Sequence, residues 1–150
     1  MSNSLSPALS SPCSITEPNG TRGSLRLSGV VKTVTSAGAI TDSTDSAGIL
    51  VQGSTSLNAG GNILLDNAAN DFSALDNLSL TATTVNGGIT LRDVNALATG
   101  EIGAVDGSID IQVGGQLRIR DNITSQSTTD AIHNIVLSAN DSITFFGPLT

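Results

Sequence analysis

The side chains here that could do chemistry are carboxylates, arginines set in alternating stretches, and one histidine. Asp66, Arg92 and Arg120 follow Leu65, Leu91 and Ile119, each inside a short apolar–polar alternation. If those aliphatic residues face an interior, the three charged residues line one outer face. Asp66 and Arg92 would then stand close enough to pair between neighbouring strands. Such a strip could hold a charged substrate, and glycoside hydrolysis would need two acids about 5–9.5 Å apart. A solvated ion pair contributing ~0–1 kcal/mol accounts for the same residues with fewer demands. Asp110 falls on the other strand of the repeat and has no evident acidic partner there.

His133 is the single histidine, shortly after Asp130 and just before Ile135. A Ser-His-Asp arrangement needs a sharply presented nucleophile, and no Gly-x-Ser-x-Gly sequence occurs. His133 therefore reads as a corner residue in a polar loop. Calcium would find hard oxygen ligands in Asp42-Ser43-Thr44-Asp45 and in Asp71-Phe72-Ser73-Ala74-Leu75-Asp76. Neither stretch has EF-hand spacing, and turn formation explains their aspartates. Cys13 stands alone, which rules out an internal disulfide and a cysteine metal cluster. The expectation is no catalytic residue, no metal and no cofactor, with any binding residues still to be found. The Asn-x-Ser/Thr matches at Asn19, Asn77, Asn122 and Asn140 matter only if the chain is glycosylated during export.

The elements that must position these side chains come from a repeat. Ile109, Ile111, Val113, Leu117, Ile119 and Ile123 recur 26 residues later as Ile135, Leu137, Ala139, Ile143, Phe145 and Leu149. Period-2 alternation predicts strands with one apolar face. A fixed recurrence means that each unit buries its face on its neighbours. Earlier copies start at Lys32, Thr55 and Leu78, each leading to a second short strand at Ile40, Ile63 and Ile89. Starts at 32, 55, 78, 109 and 135 give steps of 23, 23, 31 and 26. In that register Ile63 and Ile89 are the counterparts of Leu117.

The predicted fold is all-β: a right-handed parallel β-helix, or β-solenoid, of roughly five coils with an uncapped C-terminal end, ~20–25 Å long at the strand spacing. Residues 1–22 form a disordered Ser/Pro-rich tail and residues 23–150 the β-helix segment. Gly-Gly pairs at 60–61, 87–88 and 114–115 should sit at corners that need positive φ. Asn67–Phe72 is the best local helix candidate, too short and too rich in Asn and Asp to form one. A leucine-rich repeat starting at Leu75 and a β-sandwich are the competing architectures. Val136 and Phe146 should point outward from the last coil, where apolar residues suggest contact with a neighbour.

Composition agrees with a narrow aliphatic interior. Aromatic residues are 2% and charged residues 13%, with neither Trp nor Tyr. The net charge of −7 argues against nucleic acid, which demands clustered Lys and Arg. No apolar run approaches the ~20 residues that span a bilayer. The start, Met1–Pro7, lacks the basic flank and apolar run of a secretory signal.

At Ala37-Gly38-Ala39-Ile40-Thr41-Asp42-Ser43 the chain resembles the repeats of filamentous haemagglutinin-like adhesins, large bacterial exoproteins. The resemblance continues through Val51–Ile63, Leu65–Phe72 and Ile89–Leu97, and covers about residues 37–150. It implies a β-helix shaft exported by an outer-membrane transporter in two-partner secretion. It further implies a cell-surface or secreted location and adhesion to a host or neighbouring-cell glycan or protein. On this reading the chain is a non-enzymatic shaft fragment, with self-association through open β-helix ends as a further possibility. The competing expectation is a carbohydrate-active β-helix enzyme, a polysaccharide lyase or hydrolase.

Overall fold

The structure, a computed structural model, describes residues 13–14, 25–42, 48–72 and 78–146, with side chains from residue 33 onward except residue 52. All regular structure among these residues is β, and every strand pairing is parallel. The first sheet stacks β1 (Cys13–Ser14), β3 (Ile40–Thr41), β5 (Ile63–Leu65), β7 (Ile89–Asp93), β9 (Ile109–Val113) and β12 (Ile135–Ala139). The second stacks β2 (Leu25–Ser36), β4 (Ile49–Ala59), β6 (Leu80–Thr84), β8 (Leu97–Val105), β10 (Leu117–Ile119) and β13 (Ile143–Phe145). A thirteenth strand, β11 (Ile123–Gln126), pairs with the far half of β8.

Strands alternate between the two sheets along the chain, so the backbone winds as a parallel β-solenoid of about four turns. Ile40, Ile63, Ile89, Ile109 and Ile135 are successive register partners, spaced 23, 26, 20 and 26 residues apart. The alternation seen in the sequence sets which residues turn inward. In β7 and β9 the first, third and fifth residues are buried and the two between are half-exposed. Ile40, Ile63, Ile89 and Ile109 are at most 1% exposed and form one continuous aliphatic row. Leu65, Leu91 and Ile111 form the next. Burial of each such side chain stabilises by ~1.5–3 kcal/mol. The second sheet supplies the opposite wall with Leu57, Ala82, Leu97, Ile102 and Leu117, and Phe72 is the only aromatic ring in the described core.

This parallel stack excludes the leucine-rich repeat and the sandwich. The 109/135 pairing holds residue for residue through Ile111↔Leu137, Val113↔Ala139, Leu117↔Ile143 and Ile119↔Phe145. Ile123's expected partner, Leu149, lies outside the described residues. The earlier copies need one correction. Lys32 does pair with Thr55, Ile40 with Ile63, and Ile63 with Ile89, but Ile89 stacks on Ile109 rather than in line with Leu117. Thr55 pairs with Leu80, two residues beyond the expected Leu78. The slip arises because the turn from Ile89 to Ile109 takes only 20 residues and uses β8, whose small inward Ala98 and Ala104 gave a weak apolar signal.

The corner glycines are also needed for a different reason than expected. Of the three Gly-Gly pairs only Gly87 has positive φ. A Cβ on Gly60 would lie 2.0 Å from the Ala37 carbonyl oxygen, and one on Gly114 would lie 2.1 Å from that of Val94. Close packing of one corner on the next excludes a side chain there. Asn67–Phe72 forms no helix; residues 68–69 make a turn.

Candidate functional site

The outer face of the first sheet carries the densest set of chemically capable side chains on regular strands. Leu64, Thr90, Asp110 and Val136 are register partners and make one row across four strands. Arg92, Gln112 and Ser138 make the parallel row two residues on, and Asp66 directly follows β5 on the adjoining rung. Adjacent rungs are ~4.7–4.9 Å apart and the two rows ~6.6 Å apart along the strands. Thr90, Arg92, Asp110 and Gln112 are half-buried, whereas Leu64 is 40% and Val136 50% exposed at the ends of their row.

Arg92 Nε and Asp110 Oδ1 are both withdrawn from solvent without a hydrogen-bond partner. They occupy diagonal positions on neighbouring strands, Arg92 beside Gln112 and Asp110 beside Thr90. The expected surface pair is therefore absent, since no ion pair joins Asp66 to Arg92. Arg120 does not share this face. Its backbone N–H binds the Thr99 carbonyl, which puts it at the end of β10 in the second sheet. The corrected register removes Arg120 from the strip and brings Asp110 into it.

A second polar cluster fills the corner between the first sheet and the start of the second. Asn70, fully buried, accepts from Ile49 N–H through Oδ1 (2.7 Å) and donates through Nδ2 to Asp42 Oδ2 (2.6 Å). Asp42 Oδ2 also accepts from Asn67 N–H at 3.0 Å. One rung further, Asp93 accepts from Phe72 N–H and Asn95 N–H, both at 2.7 Å, and Asn95 Nδ2 reaches Asp71 Oδ2 at 3.2 Å. Burial pushes the Asp93 carboxyl up to about 6; its two backbone donors oppose this, and the nearby Asp71 charge adds to it. These amides and carboxylates answer backbone N–H groups that the corner would otherwise leave unpaired. Sequence reading missed the cluster, although Asn or Asp at each strand end was its available signal.

The remaining candidates are dispersed. Asp106, at φ 56°, takes hydrogen bonds from the Thr128 hydroxyl and from Thr128 N–H. These donors hold its carboxyl below the usual range, with a smaller contribution from the charge of His133. His133 Nε2 is buried without a hydrogen-bond partner in the loop before β12, and Asp130 has φ 57°. Asp42 and Asp71 of the two calcium stretches serve the corner, while Asp45 and Asp76 lie outside the described residues, as does Asn77. Among the described residues no three His, Cys, Asp or Glu side chains are grouped to hold a metal ion. Cys13 is placed only as a β1 backbone position beside Ile40. Asn122 and Asn140 are exposed.

A family described as repeats of unknown function (DUF5649) matches residues 15–79. That span holds β2 to β5 and ends just before β6. No curated protein and no solved structure matches the chain. The family match agrees with the repetitive build of the solenoid and carries no activity. It gives no link to filamentous haemagglutinin-like adhesins.

Proposed function

We propose that this chain is a structural shaft segment of a bacterial secreted or surface adhesin, non-catalytic, mediating adhesion or aggregation. The observation that carries this reading is where the buried carboxylates and amides point. Asp93 and Asn70 are spent on backbone N–H groups that join one coil to the next, so the most perturbed acid of the chain has a mechanical task. The aliphatic rows agree with that task, because they run parallel to the axis and can be extended rung by rung. The sequence resemblance to haemagglutinin-like repeats supplies the cell-surface setting, with an outer-membrane transporter as the export partner.

A bead assay tests this reading. Beads coated with the whole chain should adhere to bacterial or epithelial cells, or to one another, above beads coated with an unrelated acidic protein. The same chain should release no product from neutral or acidic polysaccharides. Beads that stay dispersed and unbound would remove the adhesin reading. Product release that disappears in Asp66→Ala or Asp110→Ala would replace it with a carbohydrate-active enzyme.

A further inference from the structure

We infer that the outer face of the first sheet, from Leu64 to Val136, is a binding strip for an extended neutral polysaccharide lying along the solenoid axis. The inference rests on the adhesin reading for its biological setting and on three observations for its chemistry.

The first is the pair of unanswered polar atoms. Arg92 Nε is a donor and Asp110 Oδ1 an acceptor, both shielded from solvent on the same face and neither engaged. Native proteins seldom leave such groups without partners. A sugar hydroxyl both donates and accepts, so vicinal hydroxyls of one pyranose could answer both. Thr90 and Gln112, register partners of Asp110 and Arg92, widen the set with a hydroxyl and an amide.

The second is the spacing. Rungs repeat at ~4.7–4.9 Å along the axis, close to the length of one sugar unit in an extended β-linked chain. Leu64 and Val136 lie at the two ends of the Thr90–Asp110 row and present apolar surface against which a ring face can pack. Polar groups at the centre with apolar ends is the arrangement of a site that orients a ligand and desolvates it.

The third is charge. Asp66, Arg92 and Asp110 together leave the strip one unit negative, and the whole chain is at −7. Polyanionic glycans such as polygalacturonate are repelled by that field, which selects a neutral polymer.

Calorimetric titration of the full chain with cellohexaose, xylohexaose, mannohexaose and hexagalacturonate provides the test. At least one neutral hexasaccharide should bind at least tenfold more tightly than hexagalacturonate, and at least tenfold more tightly than its own disaccharide. Arg92→Ala and Asp110→Asn should each weaken that binding tenfold or more, whereas Thr124→Ala on the second sheet should leave it unchanged. Should either charged-strip variant misfold by circular dichroism, the exposed substitutions Leu64→Ser and Val136→Ser read the same strip. Absence of binding by every neutral probe at millimolar concentration overturns the proposal, as does binding untouched by all strip substitutions.

The bead assay separates the two claims. Wild-type adhesion that persists in the Arg92→Ala/Asp110→Asn double variant refutes the strip and leaves the adhesin reading standing. Glycan binding without any bead adhesion does the reverse.

Discussion

The third and fourth turns of the solenoid carry nearly the same apolar template and bury it very differently. Ile109 and Leu117 are completely buried, yet their register partners Ile135 and Ile143 are 44% and 37% exposed. The pair Ile119 and Phe145 repeats the contrast at 4% and 44%. Phe145 is the bulkier residue of that pair, so hydrophobicity does not explain the difference. The inner rung is covered by strands on both sides, and the last described rung is covered on one. In a stack, a residue's energetic weight is set by its neighbours along the axis. Period-2 alternation tells only that it faces inward.

The sharpest way to break that comparison is to place the same charge in both rungs. Ile111→Asp puts an unpaired carboxylate into a fully buried row and should abolish cooperative folding, seen as loss of the β signal in circular dichroism. Ile143→Asp has water within reach and should leave a folded chain with a modestly lowered melting temperature. Equal damage from the two would show that the last rung is as enclosed as the inner one.

A smaller effect contrasts the two perturbed carboxyls. Asp93, buried and raised to about 6, stabilises the fold when protonated; that contribution is complete below the unfolded value near 3.8 and is lost as pH rises through about 6. Its full size is about 3 kcal/mol on the usual conversion of ~1.4 kcal/mol per unit. Exposed Asp106, held low by Thr128, works in the opposite direction and loses its contribution as pH falls through its folded value. Urea unfolding between pH 7 and 4 should show wild type gaining on Asp93→Asn. A constant difference across that window would mean that Asp93 is not desolvated.

Smaller still is the corner amide. Asn70→Ala leaves Ile49 N–H and Asp42 without their partner and should cost about 1–3 kcal/mol by chemical denaturation. Asn140→Ala, at the exposed corner of the last described turn, should change stability by less than about 0.5 kcal/mol.

How far the molecule could be read from its sequence follows the same division. Strong aliphatic rows were legible: Ile109 over Ile135, Ile63 over Ile89 and Ile40 over Ile63 follow from alternation and recurrence. The link from Ile89 to Ile109 was not. Ala98, Ala104 and Gly103 give β8 little apolar contrast, and its 20-residue turn breaks the spacing of its neighbours. That one slip displaced the candidate site as well. It kept Asp66 and Arg92 on adjacent rungs but put Arg120 where Asp110 belongs. The corner cluster escaped notice for another reason: Asn70 and Asp93 do their work through backbone N–H groups, which leave no mark in side-chain periodicity.

The stacking of Ile89–Asp93 on Ile109–Val113 is the claim on which both the fold and the binding strip depend, and a disulfide measures it directly. In a Cys13→Ser background, Thr90→Cys with Asp110→Cys puts two outward thiols on register partners, at a strand spacing within the ~4.4–6.8 Å Cα range of a disulfide. Mild oxidation should crosslink this pair quantitatively in the folded chain and leave Thr90→Cys with Arg118→Cys reduced, since Arg118 pairs with Ala98 in the other sheet. Crosslinking of 90 to 118 with none of 90 to 110 would contradict the register.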